Sequence, residues 1–304
     1  MTTSETCRTP VVSDAEITAM ITGRDGLRVL LQPQVDLLTG KIVSAEALAR
    51  WQHPRLGIVM PAEFIPAVNR LGLDGILFER VCVRVIDALL TMRRAGVAVP
   101  LAINAPATTL SEARSVDFLL ERVRAAELPP SLVRVELTED QPIRDLDVLR
   151  ASLLRLEDAG CEVSLDDFGT GHASLKLLSA IPLSEVKIDQ YFVTRMRRSA
   201  VAFEVLRTAA ELATRLGWRV VAEGVENVAD IPALRAAGCR YGQGFSLGRP
   251  MPLDEIMMRL RTQRDGGEPL AAPAAYASSW LDAFDAGAQD AAEVGRPVRH
   301  TALL

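Results

Sequence analysis

The feature that most restricts how this chain can fold is an alternation of short β-rich runs with amphipathic helical segments. Strands are expected at about 27–36, 41–49, 100–106, 132–138, 162–167, 185–189, 219–223 and 239–245. Between them the hydrophobic period lengthens. In 75–95, Leu77, Val81, Val85 and Leu89 recur every four positions with Phe78, Cys82 and Ile86 beside them, the mark of a helix with one buried face. Similar helices are expected near 110–126, 144–159, 199–216, 227–237 and 252–264, where Ile256, Met257 and Leu260 read as core. Several helical segments stop at a glycine, as at Gly96, Gly160, Gly217 and Gly238. Strands interleaved with helices imply a mainly parallel sheet, and eight strands in about 240 residues suit a closed barrel better than two open sheets. Only Leu37 to Gly40 join the first two strands, too short for a parallel crossover, so that pair should be antiparallel. The expected fold is a TIM-barrel-like (α/β)8 barrel with an antiparallel first strand pair, spanning 27–264. Residues 1–26 read as a short N-terminal extension, and 265–304, opening with the Gly-, Pro- and Ala-rich DGGEPLAAPAAYASS, as a largely disordered tail.

Composition narrows the chemistry. Of 304 residues 49% are apolar, ample for a large core. The first 26 residues carry Glu5, Asp14, Glu16 and Asp25 and no apolar stretch of signal-peptide length. No run of about 18 apolar residues occurs, so no membrane span is expected. Cys7, Cys82, Cys161 and Cys239 are scattered without a C-x-x-C pair, which suits reduced thiols in a cytoplasmic protein. With only His53, His172 and His300, a His-rich metal centre is excluded and a His-based triad disfavoured. The formal net charge of -5 offers no general attraction to a nucleic acid polymer, so a phosphate substrate would need metal ions as intermediaries.

The polar residues then fall in one pattern. Glu46, Asn104, Glu136 and Glu139, Asp166 and Asp167, Lys187, Glu223 and Gln243 each stand at or near the C-terminal end of a different expected strand. In an α/β barrel those ends converge on one mouth, where catalytic groups collect. Taken singly, an acid in such a place is a helix N-cap, and Asp167 before FGTG could be only that. GTG at 169–171 and GQG at 242–244 are ordinary glycine turns, His172 reads as a loop residue, and the RMRR run at 195–198 as a solvated helix entry. Taken together, so many carboxylates would repel one another unless cations neutralised them. All-oxygen ligands favour Mg2+ or Mn2+, and the number of donors allows two ions. With Lys187 and Arg50 nearby, the cluster suits in-line hydrolysis of a phosphodiester.

Seven segments occur in order: SAEALARWQHP (44–54), FIPA (64–67), VELTE (135–139), SLDDFGTGHASL (164–175), EVKIDQYFV (185–193), VVAEGVE (220–226) and YGQGFSLGRP (241–250). Together they resemble the EAL-domain family of cyclic di-GMP phosphodiesterases, whose tripeptide is here Glu46, Ala47 and Leu48. The resemblance implies hydrolysis of cyclic di-GMP to linear pGpG. It implies that Glu46, Asn104, Glu136, Asp166, Asp167 and Glu223 hold two Mg2+ or Mn2+ ions, with Asp166 bridging them. By the same resemblance Lys187 positions or activates water, and Glu223 shares in base chemistry. Gln32, Leu48, Arg50 and Gln243 line the dinucleotide pocket, and Glu139 braces the DDFGTG loop that couples the metal site to a homodimer. Control of biofilm or motility is the setting the resemblance implies, with regulation expected from expression, dimerisation or a separate regulatory protein. The alternative is a catalytically silent cyclic di-GMP receptor acting through a protein partner. Five residues in three segments depart from the family pattern: Leu31 where Tyr is common, Val68 and Asn69 where Ala-Glu is usual, and His172 and Ala173 in the DDFGTG loop. None of them is a proposed metal ligand.

Overall fold

The computed structural model describes residues 12–23, 26–138, 143–169 and 175–267. In chain order the elements are α1 (Asp14–Thr22), β1 (Leu27–Asp36), β2 (Ile42–His53), β3 (Gly57–Val59), α2 (Pro61–Leu71), α3 (Asp74–Arg94), β4 (Leu101–Pro106), α4 (Ala107–Leu110) and α5 (Ala113–Ala125). There follow β5 (Val133–Thr138), α6 (Leu146–Asp158), β6 (Glu162–Phe168), α7 (Leu175–Ala180), β7 (Glu185–Ile188), α8 (Gln190–Arg195), α9 (Ala200–Arg215), β8 (Arg219–Ala222), α10 (Ile231–Ala236), β9 (Tyr241–Gly242) and α11 (Leu253–Arg264). Helices α1, α6, α8 and α9 each begin where a short polar side chain takes up free backbone N–H groups. Asp145 Oδ1 accepts from Asp147 N and Val148 N at the start of α6, and Ser199 Oγ accepts from Ala202 N at the start of α9.

The sheet closes in the order β1-β9-β8-β7-β6-β5-β4-β2 and back to β1, with β3 added beyond β2. The expected antiparallel first pair is present, in a ladder from Leu27↔Trp51 to Val35↔Ile42, and β1 is antiparallel to β9 as well. The remaining neighbours from β2 round to β9 run parallel. The structure is therefore a closed, mixed eight-stranded α/β barrel. Two strands differ in length from the sequence reading. β2 continues to His53, because the β1–β2 ribbon projects past the barrel rim and pairs there with β3, so Glu46 sits in mid-strand. β9 is only two residues long, closing the barrel with Val35↔Gly242 and Asp36↔Tyr241.

The helix expected over 110–126 is split at Ser111 and Glu112 into α4 and α5, and α2, carrying FIPA, went unread. Within the N-terminal segment, α1 buries Ile17, Met20 and Ile21. Arg80 of α3 donates to Met20 O and Ile21 O, both at 3.0 Å, meeting the free carbonyls and dipole of α1's last turn. Cys82, Cys161 and Cys239 are buried free thiols, while Cys7 lies outside the described residues. Among the described residues no helix is long and apolar enough to cross a membrane. Glu139, His172, Ala173 and all of the expected tail beyond Gly267 also lie outside the described residues.

One layer below the mouth the barrel interior is polar. Arg134, with no exposed surface, donates to Glu185 Oε1 and Gln34 Oε1, each at 3.0 Å, and to Glu162 Oε2 at 2.7 Å. Ser164 Oγ donates to Glu185 Oε1 at 3.1 Å, and Ser44 Oγ to Gln34 Oε1 at 2.5 Å. The network stands because each buried charge meets an opposite charge and hydrogen bonds. Arg134→Leu should leave Glu185 with the part-exposed Arg219, at 3.1 Å, as its direct ion-pair partner and the more distant field of Lys187. The expected loss is about 3 kcal/mol of unfolding free energy in urea titrations, with Arg134→Leu/Glu185→Leu recovering most of it.

Candidate active site

The acids above that layer are organised by one cation. Lys187 Nζ, on β7, is fully buried and lies 2.7 Å from Glu223 Oε1, 3.0 Å from Asp166 Oδ1, 3.1 Å from Glu136 Oε2 and 3.3 Å from Glu46 Oε2. Register explains the convergence. Asn104 pairs with Glu136 across β4 and β5, and Gln32 with Glu46 across β1 and β2, so their side chains share the interior face. Asn104 Nδ2 donates to Glu46 Oε1 at 2.6 Å, and Gln243 Nε2 to Glu46 Oε2 at 2.5 Å and Gln32 Oε1 at 3.3 Å.

Consecutive strand residues ordinarily face opposite ways. Asp166 and Asp167 escape that rule because the β6–β7 register breaks between Leu165 and Phe168 and Asp167 takes a left-handed φ of 53°. As a result Asp166, Asp167 and Glu223 each bring a carboxylate oxygen within 4.8 Å of the others, a group that could hold a metal ion. Glu46 and Glu136 stand beside this trio, turned toward Lys187.

The electrostatics follow from burial and crowding. Burial opposes the charge on Lys187, but Asp166, Glu136, Glu223 and Glu46 outweigh it and hold the ammonium well above its ordinary pKa. Burial likewise opposes ionisation of Glu46, yet Lys187 and the two amide donors bring its carboxyl below the usual range. Glu136 lacks those amides; burial, with Glu46 and Asp166 adding to it, pushes it well above. Burial, only partly offset by Lys187, drives Glu223 to about 8, with Asp166 and Glu46 contributing. Burial, Asp166 and Asp189 drive Asp167 to about 6.

Two cavities flank Asp167. One, about 230 Å3, is lined by Gln32, Glu46, Glu223, Gln243 and the exposed ring of Phe245. The other, about 260 Å3, is a largely apolar slot in which Leu48, Ile65 and Phe78 stand with Asn104, Asp166 and Asp167. Arg50 is buried, donates to Ala49 O at 2.7 Å and feels the charge of Glu46. The sequence reading thus named the mouth but missed Gln34, Ser44, Arg134, Ser164 and Glu185 beneath it. Their signal was spacing: each lies two residues before a named residue, or is that residue's neighbour on the same strand face, in Q-P-Q, S-A-E, R-V-E, S-L-D and E-V-K.

The EAL domain model matches residues 15–250. The chain belongs to the EAL domain family. It is 35% identical over 240 residues to the cyclic di-GMP phosphodiesterase PA2567 of Pseudomonas aeruginosa, covering 78% of this chain and 40% of that protein. It is 33% identical over 221 residues to the cyclic di-GMP phosphodiesterase RocR of the same species, covering 73% and 56%. The chain thus spans about half or less of the length of these relatives. Among solved structures, the MucR phosphodiesterase in complex with c-di-GMP superimposes with a TM-score of 0.75 at 32% identity, covering 81% of this EAL chain and 100% of that one. An EAL domain protein from Listeria monocytogenes gives 0.72 at 28% identity, covering 84% and 98%.

The donor set fits a hard divalent cation. Among the described residues Asn104 Oδ1 is buried with no hydrogen-bond partner, and Asp166 Oδ1 accepts no hydrogen bond but faces the Lys187 ammonium at 3.0 Å. Oxygen ligands without donors are what Mg2+ or Mn2+ would satisfy. A cation requires ionised carboxylates, whereas Glu223, titrating near 8, and Asp167, near 6, carry protons below those values. Metal binding should therefore release protons, and affinity should rise from pH 6 to pH 8. Calorimetry in two buffers of different ionisation enthalpy should show at least about one proton released per binding event at pH 7, from Glu223 with Glu136 adding to it.

Proposed function

We propose that this EAL domain hydrolyses cyclic di-GMP to linear pGpG with two Mg2+ or Mn2+ ions. The observation that carries the reading is the set of Glu46, Glu136, Asp166 and Glu223 converging from four strand positions on Lys187. A binding surface for an anionic dinucleotide alone gains nothing from so many buried acids. The names of its relatives support the same substrate.

Glu46, Asn104, Glu136, Asp166, Asp167 and Glu223 would hold the ions. When bound, such ions supply Lewis acidity that offsets charge developing on the phosphoryl oxygens. The chain's own groups do the rest. Lys187 Nζ, charged and within 3.3 Å of four carboxylates, has three N–H donors, and those the carboxylates release on turning to the ions would orient a water by donating to its oxygen. Glu223, 2.7 Å from Lys187 and raised to about 8 by burial, gives up its proton when the ions bind and as a carboxylate would then accept the proton of the attacking water. Arg50, on the same strand as Glu46 and Leu48, would meet a phosphate oxygen, while Gln32 and Gln243 line one of the two cavities and Leu48 the other.

The test is incubation of the full chain with cyclic di-GMP and Mg2+ or Mn2+, with nucleotides separated by chromatography. Formation of pGpG is expected, and Glu46→Ala should lower kcat/KM by at least about a hundredfold, since it removes a ligand and the acceptor of the Asn104 and Gln243 amides. Tight binding with no pGpG would instead establish a silent receptor.

A further inference from the structure

Asn69, where the chain departs from the family pattern, stands with Asp74 at the meeting of two cavities. One is the apolar slot that runs from Asp166 and Asp167 past Leu48, Ile65 and Phe78. The other, about 570 Å3, lies at the first turns of α3 and α5, lined by Glu79, Thr109, Glu112, Arg114 and Ser115 among others. Asn69 and Asp74 line both. The Asn69 side-chain nitrogen donates to Ile65 O at 3.1 Å and to the Asp74 carboxylate, so the last turn of α2 fixes the orientation of an acid on the first turn of α3. Asp74 is half-buried; burial raises its carboxyl above the ordinary range, and no cation among the described residues offsets that. A carboxylate so placed is stabilised by donors from a ligand.

We propose that Asp74, oriented by Asn69, reads the hydrogen-bond donor edge of a guanine base held in the apolar slot, and so sets the base specificity of the site. The inference rests on the cyclic di-GMP reading above. A phosphodiester at Asp166 and Asp167 directs its flanking base into the slot those residues help line. Leu48, Ile65 and Phe78 take the faces of the base, which leaves its edge to meet the polar end at Asn69 and Asp74. Guanine presents N1–H and N2–H2 side by side, two donors that match the two oxygens of one carboxylate. Adenine presents the lone pair of N1 to the same carboxylate and is repelled. With Glu at position 69, a second acid would face Asp74; Asn at that position lets the single negative charge stand on α3.

Equilibrium binding to the full chain in Ca2+, a hard cation with looser geometry than Mg2+, reads the proposal without turnover. Wild-type protein should prefer cyclic di-GMP to cyclic di-AMP. Asp74→Asn should weaken cyclic di-GMP by about tenfold to a hundredfold and cyclic di-AMP by less than about threefold, collapsing the preference. Asn69→Ala should show the same base-dependent loss at smaller size. Asn69→Glu should weaken cyclic di-GMP, and Asn69→Glu/Asp74→Asn, which moves the charge across the pair, should recover most of that loss. Wild-type affinity and selectivity in Asp74→Asn and Asn69→Ala, or equal losses for both dinucleotides, overturns the proposal. Failure of the phosphodiesterase reading shows separately, as absent turnover in Mg2+ or Mn2+ with selective binding retained.

Discussion

Everything at the mouth of this barrel depends on the burial of one ammonium among four carboxylates. Lys187 reaches Glu46, Glu136, Asp166 and Glu223 within 3.3 Å, and those residues come from β2, β5, β6 and the end of β8. Only a closed sheet brings such separated strands to one point. One positive charge cannot neutralise four acids, and the balance is visible in which of them stay ionised. Glu46, braced by two amides, keeps its charge, while Glu136 and Glu223 are pushed toward the neutral form. The site is thus set between two ways of being neutral, by protons or by added cations.

The layer below gives this arrangement its rigidity. Gln34 is the link: its amide oxygen accepts from Arg134 and Ser44, and its nitrogen donates to Gln243 Oε1 at 3.1 Å in the layer above. Gln243 in turn holds Glu46. A chain of satisfied hydrogen bonds therefore runs from the buried Arg134–Glu185 pair to the acid named in the family motif, fixing it before any ligand arrives. The strained backbone at Asp167 serves a different end, turning two neighbouring acids to the same side.

These features were unequally legible in the sequence. The barrel was readable because β1, β5 and β6 are short apolar runs bounded by clear breaks, and the antiparallel first pair followed from a four-residue connection. The extra length of β2 was not, since Arg50, Gln52 and His53 look like a loop and become strand only through pairing with β1 and β3. α2 was hidden by Pro61 and Pro66, which argue against helix locally although Pro61 suits its first turn. At the site, acids at strand ends announced themselves, but the polar layer did not. Arg134 between Val133 and Val135 reads as an outward residue of a half-exposed strand, and only closure of the barrel turns it into the core. The Asn69–Asp74 pair joins the last turn of one helix to the first of the next, a proximity that no periodicity encodes.

The two cavities also bear on how a symmetric ligand is handled. A cyclic dinucleotide has two equivalent phosphodiesters, whereas the site has a single acid cluster with unlike spaces on either side of Asp167. One half of such a ligand would lie in the apolar slot ending at Asp74, and the other in the polar space beneath Phe245, whose ring is backed by Arg249 at 4.4 Å. Once both halves are held, only one phosphodiester can stand against Asp166, Asp167 and Glu223. Cleavage there opens the ring and leaves the second bond away from the acids. To be cut in turn, the linear product would have to leave and rebind in a shifted register, without the closed ring that held both bases at once. Under the proposed hydrolysis, the asymmetry of the mouth, rather than any property of the acids, would limit the reaction to ring opening.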